Sequence, residues 1–233
     1  MAVVDTELTN RVLISRINSG KGNPLSPTVL KQLNADLDRC EADDEVGSWV
    51  VMGQPGLFSG GFDLSIMLKG TMREITELVY SGGDLFTRMY ASKTPIVVGA
   101  TGHAIAGGAL MLLAADSRIG YDGPLKIGLN EVAIGMVLPS WALTLAGARL
   151  SPRHIQQSTA TARIYDADGA RDAGFLDLLV APGEHEAATL AEAERLAALD
   201  AKSYATTIGV TRGETLAQLR ADLATDRALI DTL

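Results

Sequence analysis

The chain has 233 residues, a formal net charge of −8 and a sequence pI near 4.9. This length suffices to bury a large hydrophobic core without a disulfide or a structural metal, and the negative charge argues against a nucleic-acid partner, whose phosphates attract Lys and Arg. Cys40 is the only cysteine, which excludes an internal disulfide and a cysteine-based zinc site and is typical of a reducing compartment.

The N-terminal residues, MAVVDTELTNRVLIS, lack the basic stretch and long apolar core of a signal peptide. No apolar run reaches the length of about 18 residues that a membrane span needs. We therefore expect a cytoplasmic protein that makes no contact with a membrane.

The first third of the chain alternates strand and helix patterns. Residues 11–17 are β-branched and partly alternating, which predicts a strand. Ser26 followed by Pro27 is typical of a helix start, and apolar residues at helical spacing continue to Cys40. Residues 46–53 then form an apolar run that predicts a buried strand.

The middle of the chain repeats this alternation. Residues 71–92 have a helical pattern, in which Gly82 and Gly83 predict a break or kink. A second buried strand follows over residues 94–102. The pattern of residues 109–116 predicts a helix that is apolar nearly all round and therefore deeply buried.

The last part of the chain is mostly helical. Short strands are expected at residues 117–121 and 125–129, and helical patterns predominate from Ser140 onward. We therefore predict an α/β core over residues 1–180 and a helical C-terminal region over residues 181–233.

Two glycine turns are the most informative motifs. The segments GLFSGGFDL (56–64) and GHAIAGGAL (102–110) each follow a buried strand and lead into an apolar helix. A glycine turn before a helix leaves backbone N–H groups accessible to a ligand oxygen, and two such turns facing each other have the geometry of an oxyanion hole. On glycine content alone, tight turns and close packing are the favoured interpretation of both glycine pairs. Neither segment matches a phosphate-binding loop.

A hydrolase triad of Ser59, His103 and Asp116 is an alternative interpretation. The G-x-S-x-G elbow of such enzymes is absent. We expect His103 to be a structural, hydrogen-bonded histidine and Asp116 to cap or bond a following turn.

The segments GLFSGGFDLSIM, KTPIVVGATGHAIAGGALMLLAADSRIG and IGLNEVAIG together resemble the enoyl-CoA hydratase/isomerase (crotonase) family over about residues 10–180. The resemblance implies a spiral of ββα units with a helical C-terminal region, assembled as a homotrimer or a dimer of trimers. It implies an acyl-CoA thioester as the ligand, with coenzyme A present only as part of the substrate and no metal or other cofactor. The thioester oxygen is then held by the N–H groups of Phe62 and Gly107.

The resemblance also indicates the reaction. Hydratases of this family use two glutamates, and the matching positions here are Leu110 and Glu131. A single carboxylate can still remove a proton from C2 of a 3-enoyl-CoA and return it at C4. We therefore predict an enoyl-CoA isomerase with Glu131 as the acid/base; an enoyl-CoA hydratase and a non-catalytic CoA-binding oligomer are the alternatives.

Glu131 works best in a dry pocket that raises its pKa towards neutrality. Walls for such a pocket are expected from Phe62, Leu110, Val132, Ile134, Met136 and Trp141. The resemblance further assigns substrate contacts to Lys21, Gly22, Gly60, Gly61, Asp63, Leu64, Gly108, Leu110 and Asn130. Three of these have other interpretations: Asp63 as the N-cap of the following helix, Lys21 as a solvated side chain, and Asn130 as a residue that positions Glu131.

Overall fold

A computed structural model describes residues 3–230 and residue 232. It contains nine strands and ten α-helices within these residues. The strands are β1 (Val4–Thr9), β2 (Val12–Ile17), β3 (Ser48–Met52), β4 (Gly56–Ser59), β5 (Ile96–Gly99), β6 (Gly102–Ile105), β7 (Ser117–Tyr121), β8 (Ile127–Gly128) and β9 (Leu178–Val180).

The helices are α1 (Pro27–Ala42), α2 (Leu64–Lys69), α3 (Met72–Ala91), α4 (Gly107–Ala114), α5 (Ser140–Arg149), α6 (Ile155–Ser158), α7 (Ala167–Ala173), α8 (His185–Ala197), α9 (Ala201–Thr211) and α10 (Gly213–Ile230). A 3₁₀ turn covers Val132–Ile134. Among the helices of residues 3–230, none is long and apolar enough to cross a membrane.

The strands form two sheets, and within each sheet the strands lie side by side in their order along the chain. The larger sheet has the order β1-β2-β3-β5-β7-β9 and the smaller sheet the order β4-β6-β8. Only the β1–β2 pair is antiparallel. From β3 onward, each pair of consecutive strands gives one strand to each sheet before the chain returns through helices. This repetition is the predicted spiral of ββα units, and the fold class is confirmed.

The smaller sheet brings the two glycine turns together. Strand β4 ends at Ser59 and β6 ends at Ile105, and the two strands pair in parallel. Equivalent ends of parallel neighbours lie at the same edge of a sheet. The turn at Gly60 and the turn at Gly107 therefore start side by side, a convergence that their separation of more than forty residues in sequence does not reveal.

Helix α4 is central to the molecule. All eight of its residues, GGALMLLA, are buried, as expected from a helix that is apolar all round. Helix α1 begins at the predicted place, where the Ser26 hydroxyl accepts a hydrogen bond from the N–H of Val29. Both helix predictions are confirmed.

The C-terminal helices pack closely on the rest of the chain. Ala193 and Leu196 of α8 form a buried cluster with strand residues that include Val50 and Val97. Asp116, which follows α4, accepts a hydrogen bond from the N–H of Ile96 and pairs with the Arg212 guanidinium at 2.6 Å. Asp116 therefore joins the C-terminal region to the core.

The predicted break in α3 is wrong. The helix runs without interruption over twenty residues, with Gly82 and Gly83 buried in its interior. Interior glycine destabilises a helix by about 0.5–1 kcal/mol relative to alanine, so helix stability does not explain the pair. The explanation is packing, since two aromatic side chains, Phe62 and Trp141, lie directly against the bare backbone at these positions.

Candidate active site

The first glycine turn is shaped for close contact with the second. Gly61 has φ +97°, and a methyl group on it would lie 2.9 Å from the Cβ of Ala106 and 3.2 Å from the amide nitrogen of Gly107. A methyl group on Gly107 would in turn lie 3.5 Å from the amide nitrogen of Phe62. The two turns therefore touch, and glycine at position 61 is required both by its φ and by the contact.

The directions of the two amides follow from their neighbours. The Gly61 carbonyl accepts a hydrogen bond of 2.8 Å from the N–H of Leu25, and in a trans peptide the following N–H points the opposite way. The N–H of Phe62 therefore points away from Leu25.

The second amide is the first of a helix. The Ala106 carbonyl accepts from Leu110 in the first turn of α4, so the Gly107 N–H points back out of the helix N-terminus, where no intrahelical acceptor exists. Ala106 has φ +52° and ψ −121°, a conformation that costs a non-glycine residue about 1–3 kcal/mol. The fold maintains this strain at the point where the Gly107 amide is presented.

Glu131 lies at the edge of an apolar cavity of about 510 Å³. Of the eleven described residues that line this cavity, Glu131 alone is ionisable; the others are Phe62, Met67, Met72, Ile75, Val79, Leu110, Met136, Val137, Pro139 and Trp141. Its Oε2 atom is buried and has no hydrogen-bond partner among the described residues. Burial raises the pKa of the Glu131 carboxyl to about 7.

The backbone around Glu131 fixes its position. The Glu131 carbonyl accepts hydrogen bonds from the N–H groups of Ile134 and Met136, and Gly135 closes the 3₁₀ turn with φ +78°. This turn directs Val132 and Ile134 outward, where they are about half exposed. The expectation that these two side chains form cavity walls is therefore wrong, whereas Phe62, Leu110, Met136 and Trp141 do line the cavity.

A second cavity of about 300 Å³ adjoins the first glycine turn. Its lining contains six of the nine predicted substrate contacts, namely Lys21, Gly22, Gly60, Gly61, Asp63 and Leu64, together with Phe62, Pro24 and Ser65. Phe62 belongs to both linings. A ligand that occupies both cavities therefore has to pass Phe62.

Individual residues around the turns have structural roles as well. The Asp63 carboxylate caps α2 by accepting from the N–H of Ser65 at 2.8 Å. Gly108 permits close packing of α4 on β4, since a methyl group there would lie 2.5 Å from the Ser59 carbonyl oxygen. Lys21 is exposed, and Asn130 is half-buried beside Glu131.

The hydrolase triad is not formed. The Ser59 hydroxyl donates to the carbonyl of Asn23, and Asp116 is occupied by Ile96 and Arg212. His103 accepts a hydrogen bond at Nδ1 from the N–H of Lys126, 3.0 Å away. His103 is therefore the hydrogen-bonded histidine that was predicted. The prediction for Asp116 is wrong, because its carboxylate bonds Ile96 and Arg212 instead of a following turn.

Asn23 holds the loop beside the second cavity in place, a role that was not predicted from the sequence. Its side-chain amide is fully buried and donates to the carbonyls of Ile17 and Phe58, while its Oδ1 accepts from the N–H of Ser19. These bonds tie the loop that carries Lys21 to the strand before the first glycine turn. The available signal was an asparagine in a glycine-rich turn, where a positive φ, here +44°, is tolerated.

Comparison with known proteins places the chain in a family. The profile described as enoyl-CoA hydratase/isomerase matches residues 8–232. A crystal structure of an enoyl-CoA hydratase/isomerase family protein from Pseudomonas syringae is 38% identical, with a TM-score of 0.93 and 97% of each chain covered. Human mitochondrial Δ3-Δ2-enoyl-CoA isomerase, at 24% identity, has the same fold, with a TM-score of 0.90 and coverage of 98% of this chain and 92% of that one.

Curated relatives include proteins named as enoyl-CoA hydratases and proteins named as enoyl-CoA isomerases. A putative enoyl-CoA hydratase of Thermus thermophilus is 32% identical over 193 residues, which is 82% of this chain and 74% of that protein. The mitochondrial enoyl-CoA delta isomerase 1 of Mus musculus is 27% identical over 180 residues, which is 76% of this chain and 62% of that protein. With its crotonase fold and a profile match over nearly its whole length, the chain belongs to the enoyl-CoA hydratase/isomerase family, whose enzymes act on acyl-CoA thioesters.

Proposed function

We propose that the protein is an enoyl-CoA isomerase that converts a 3-enoyl-CoA into a 2-enoyl-CoA. The observation that carries this proposal is the lining of the larger cavity, where Glu131 is the single ionisable residue among the part of the chain that the structure describes. Leu110, 1% exposed, occupies the position at which the hydratases of the family are expected to have their other glutamate. Moving a proton between two carbons requires one base, whereas adding water is served by two.

The reaction begins with proton removal. The Glu131 carboxylate takes a proton from C2 of the substrate, and the electrons of that C–H bond move into a dienolate with its negative charge on the thioester oxygen. The N–H groups of Phe62 and Gly107 hold this oxygen. Preorganised donors of this kind contribute about 3–4 kcal/mol each to transition-state stabilisation.

The reaction ends with return of the same proton. Glu131 delivers it to C4, the C3–C4 double bond becomes single, and a C2–C3 double bond conjugated with the thioester forms. Atoms balance without water or any co-reactant. A carboxyl pKa of about 7 suits both steps, since the group accepts and donates a proton near neutral pH.

The two cavities divide the substrate between them. The acyl chain occupies the apolar cavity beside Glu131, and the coenzyme A portion occupies the groove of Lys21, Gly22 and Asp63. The thioester then lies at Phe62, the residue that both cavities share. The same proposal includes a homotrimer or dimer of trimers, which the family resemblance implies, and a cytoplasmic location, which the residue patterns of the sequence predict.

Hydration is the second candidate, because relatives at 30–32% identity from Thermus thermophilus and Bacillus subtilis are named as hydratases. Product analysis separates the two. With 3-hexenoyl-CoA we expect 2-hexenoyl-CoA to accumulate, and with crotonyl-CoA we expect 3-hydroxybutyryl-CoA to form at least about 10²-fold more slowly, because a second acid/base is worth about that much. Comparable rates on the two substrates would favour the hydratase.

A further inference from the structure

Helix formation does not explain why α3 contains two glycines, Gly82 and Gly83, and both pack against aromatic rings that line the apolar cavity. A methyl group on Gly82 would lie 2.3 Å from both Cε1 and Cζ of Phe62. A methyl group on Gly83 would lie 2.6 Å from Cε2 of Trp141 and 2.9 Å from Cδ2 of Leu223. No carbon approaches another non-bonded carbon this closely, so neither alanine fits unless the rings move. Gly82 and Gly83 thus form a glycine notch that holds two cavity-lining rings.

The ring of Phe62 is held on two sides. One side is the glycine notch, and another is Phe86, whose ring is stacked on that of Phe62 with centroids 6.3 Å apart and planes 20° apart. Phe86 also contacts Trp141, with centroids 6.0 Å apart. Helix α3 therefore supports an aromatic row of Phe62, Phe86 and Trp141, of which Phe62 and Trp141 line the apolar cavity.

The main chain around Phe62 is held by its own turn and by Leu25. The Gly61 N–H donates to the Ser59 hydroxyl at 3.1 Å, the Gly61 carbonyl accepts from the Leu25 N–H at 2.8 Å, and Leu25 and Phe62 form a parallel β-bridge. The glycine notch holds the Phe62 ring. A displaced ring either turns the Phe62 N–H or enters the apolar cavity.

We propose that Gly82 is a positioning residue: by leaving room for the Phe62 ring on α3, it aims the Phe62 N–H at the thioester oxygen. The inference rests on the proposed function, in which this N–H stabilises the dienolate. Gly82 itself makes no contact with the substrate. A displacement of about 1 Å at a reacting group can lower a rate about 10²-fold, and we expect a loss of that order in kcat when the notch is filled.

The test is a pair of linked variants with a matched control. Gly82→Ala is expected to lower kcat on 3-hexenoyl-CoA about 10²-fold. Gly147→Ala is the control, because Gly147 lies inside α5 with no neighbouring atom within 4 Å of an added methyl group; its kcat is expected to stay within about twofold of wild type. Leucine lacks the ring atoms that the added methyl group meets, so Gly82→Ala in a Phe62→Leu background is expected to cause no further loss.

An unchanged kcat in Gly82→Ala would overturn the inference, as would an equal loss in the Phe62→Leu background. Should Gly82→Ala not fold, the comparison of Phe62→Leu with the double variant still decides, since equal turnover supports a role through the ring and a further loss contradicts it.

Infrared spectra of bound octanoyl-CoA labelled with ¹³C at the carbonyl separate this inference from the proposed function. A wild-type protein that leaves the carbonyl stretch unshifted contradicts the proposed function itself. A shift that persists in Gly82→Ala contradicts only the inference, and a shift that is lost in Gly82→Ala and kept in Gly147→Ala supports it.

Discussion

Glu131→Gln is expected to lower isomerase turnover by about 10²–10⁴-fold, the usual contribution of a positioned general base. Glutamine preserves the size and shape of the side chain but can neither accept the C2 proton nor return it to C4. The cavity offers no substitute, because its other described lining residues are not ionisable. Initial rates on 3-hexenoyl-CoA, with the binding constant for octanoyl-CoA measured separately, show whether the loss lies in kcat.

The matched control is Glu77→Gln. Glu77 lies on the surface of α3 and pairs with Arg73, so its neutralisation is expected to leave turnover within about twofold of wild type, as is usual for exposed ion pairs. Retention of more than a tenth of the turnover in Glu131→Gln would show that another group moves the proton.

The pH dependence reports on the same carboxyl group. Since the ionised form is the base and burial raises the pKa of the carboxyl to about 7, kcat/KM is expected to rise with pH through about 7.

The stability of the protein depends on the same carboxyl group. The folded state holds the Glu131 proton more tightly than the unfolded state, so the free energy of unfolding falls as the pH rises from about 4.5 to about 7. The fall amounts to up to about 3 kcal/mol, at 1.36 kcal/mol per pKa unit. Glu131→Gln lacks this penalty and is expected to have a higher melting temperature than wild type at pH 8. The same melting curve verifies that the variant is folded.

Removing the N–H of Phe62 is expected to lower kcat by about 10²–10³-fold, the loss measured for single oxyanion donors. Replacement of Phe62 by phenyllactate changes the amide to an ester and leaves the ring in place against Gly82. The ester has no hydrogen to donate, whereas the Gly107 amide and Glu131 are unaffected. Single-turnover rates on 3-hexenoyl-CoA isolate the chemical step.

Phenyllactate at Phe175 is the control for this substitution. The Phe175 N–H donates a 2.8 Å hydrogen bond to the Ala170 carbonyl in the buried end of α7, so the ester there removes a structural bond of about 1 kcal/mol and no catalytic group. Turnover near wild type is expected. An equal loss at both positions would mean that the effect arises from weakened folding instead of from a lost donor.

The sequence was sufficient for features that depend on local residue patterns. Helix α1 starts at Pro27 because the hydroxyl of Ser26 caps the helix, and α4 is buried because all of its residues are apolar or small. The family motifs then predicted the spiral of ββα units. Leu110 and Glu131, assigned by their place relative to the glycine turns, do line one cavity.

Features that depend on tertiary contact were not predictable in this way. Gly82 and Gly83 have the local signature of a helix break, and only the rings packed on them explain why the helix continues. Strand β1 was not predicted because five of its six residues are exposed or half-buried, so no apolar alternation marks it. Val132 and Ile134 were placed in the cavity because they are apolar, but the 3₁₀ turn directs them to solvent.

The most direct test of the central claim is a crystal structure with bound octanoyl-CoA. We expect the thioester oxygen to lie about 2.7–3.1 Å from the amide nitrogens of both Phe62 and Gly107, with a carboxylate oxygen of Glu131 within about 3.5 Å of both C2 and C4. A thioester oxygen distant from either amide, or a Glu131 side chain directed into bulk solvent, would contradict the proposed mechanism.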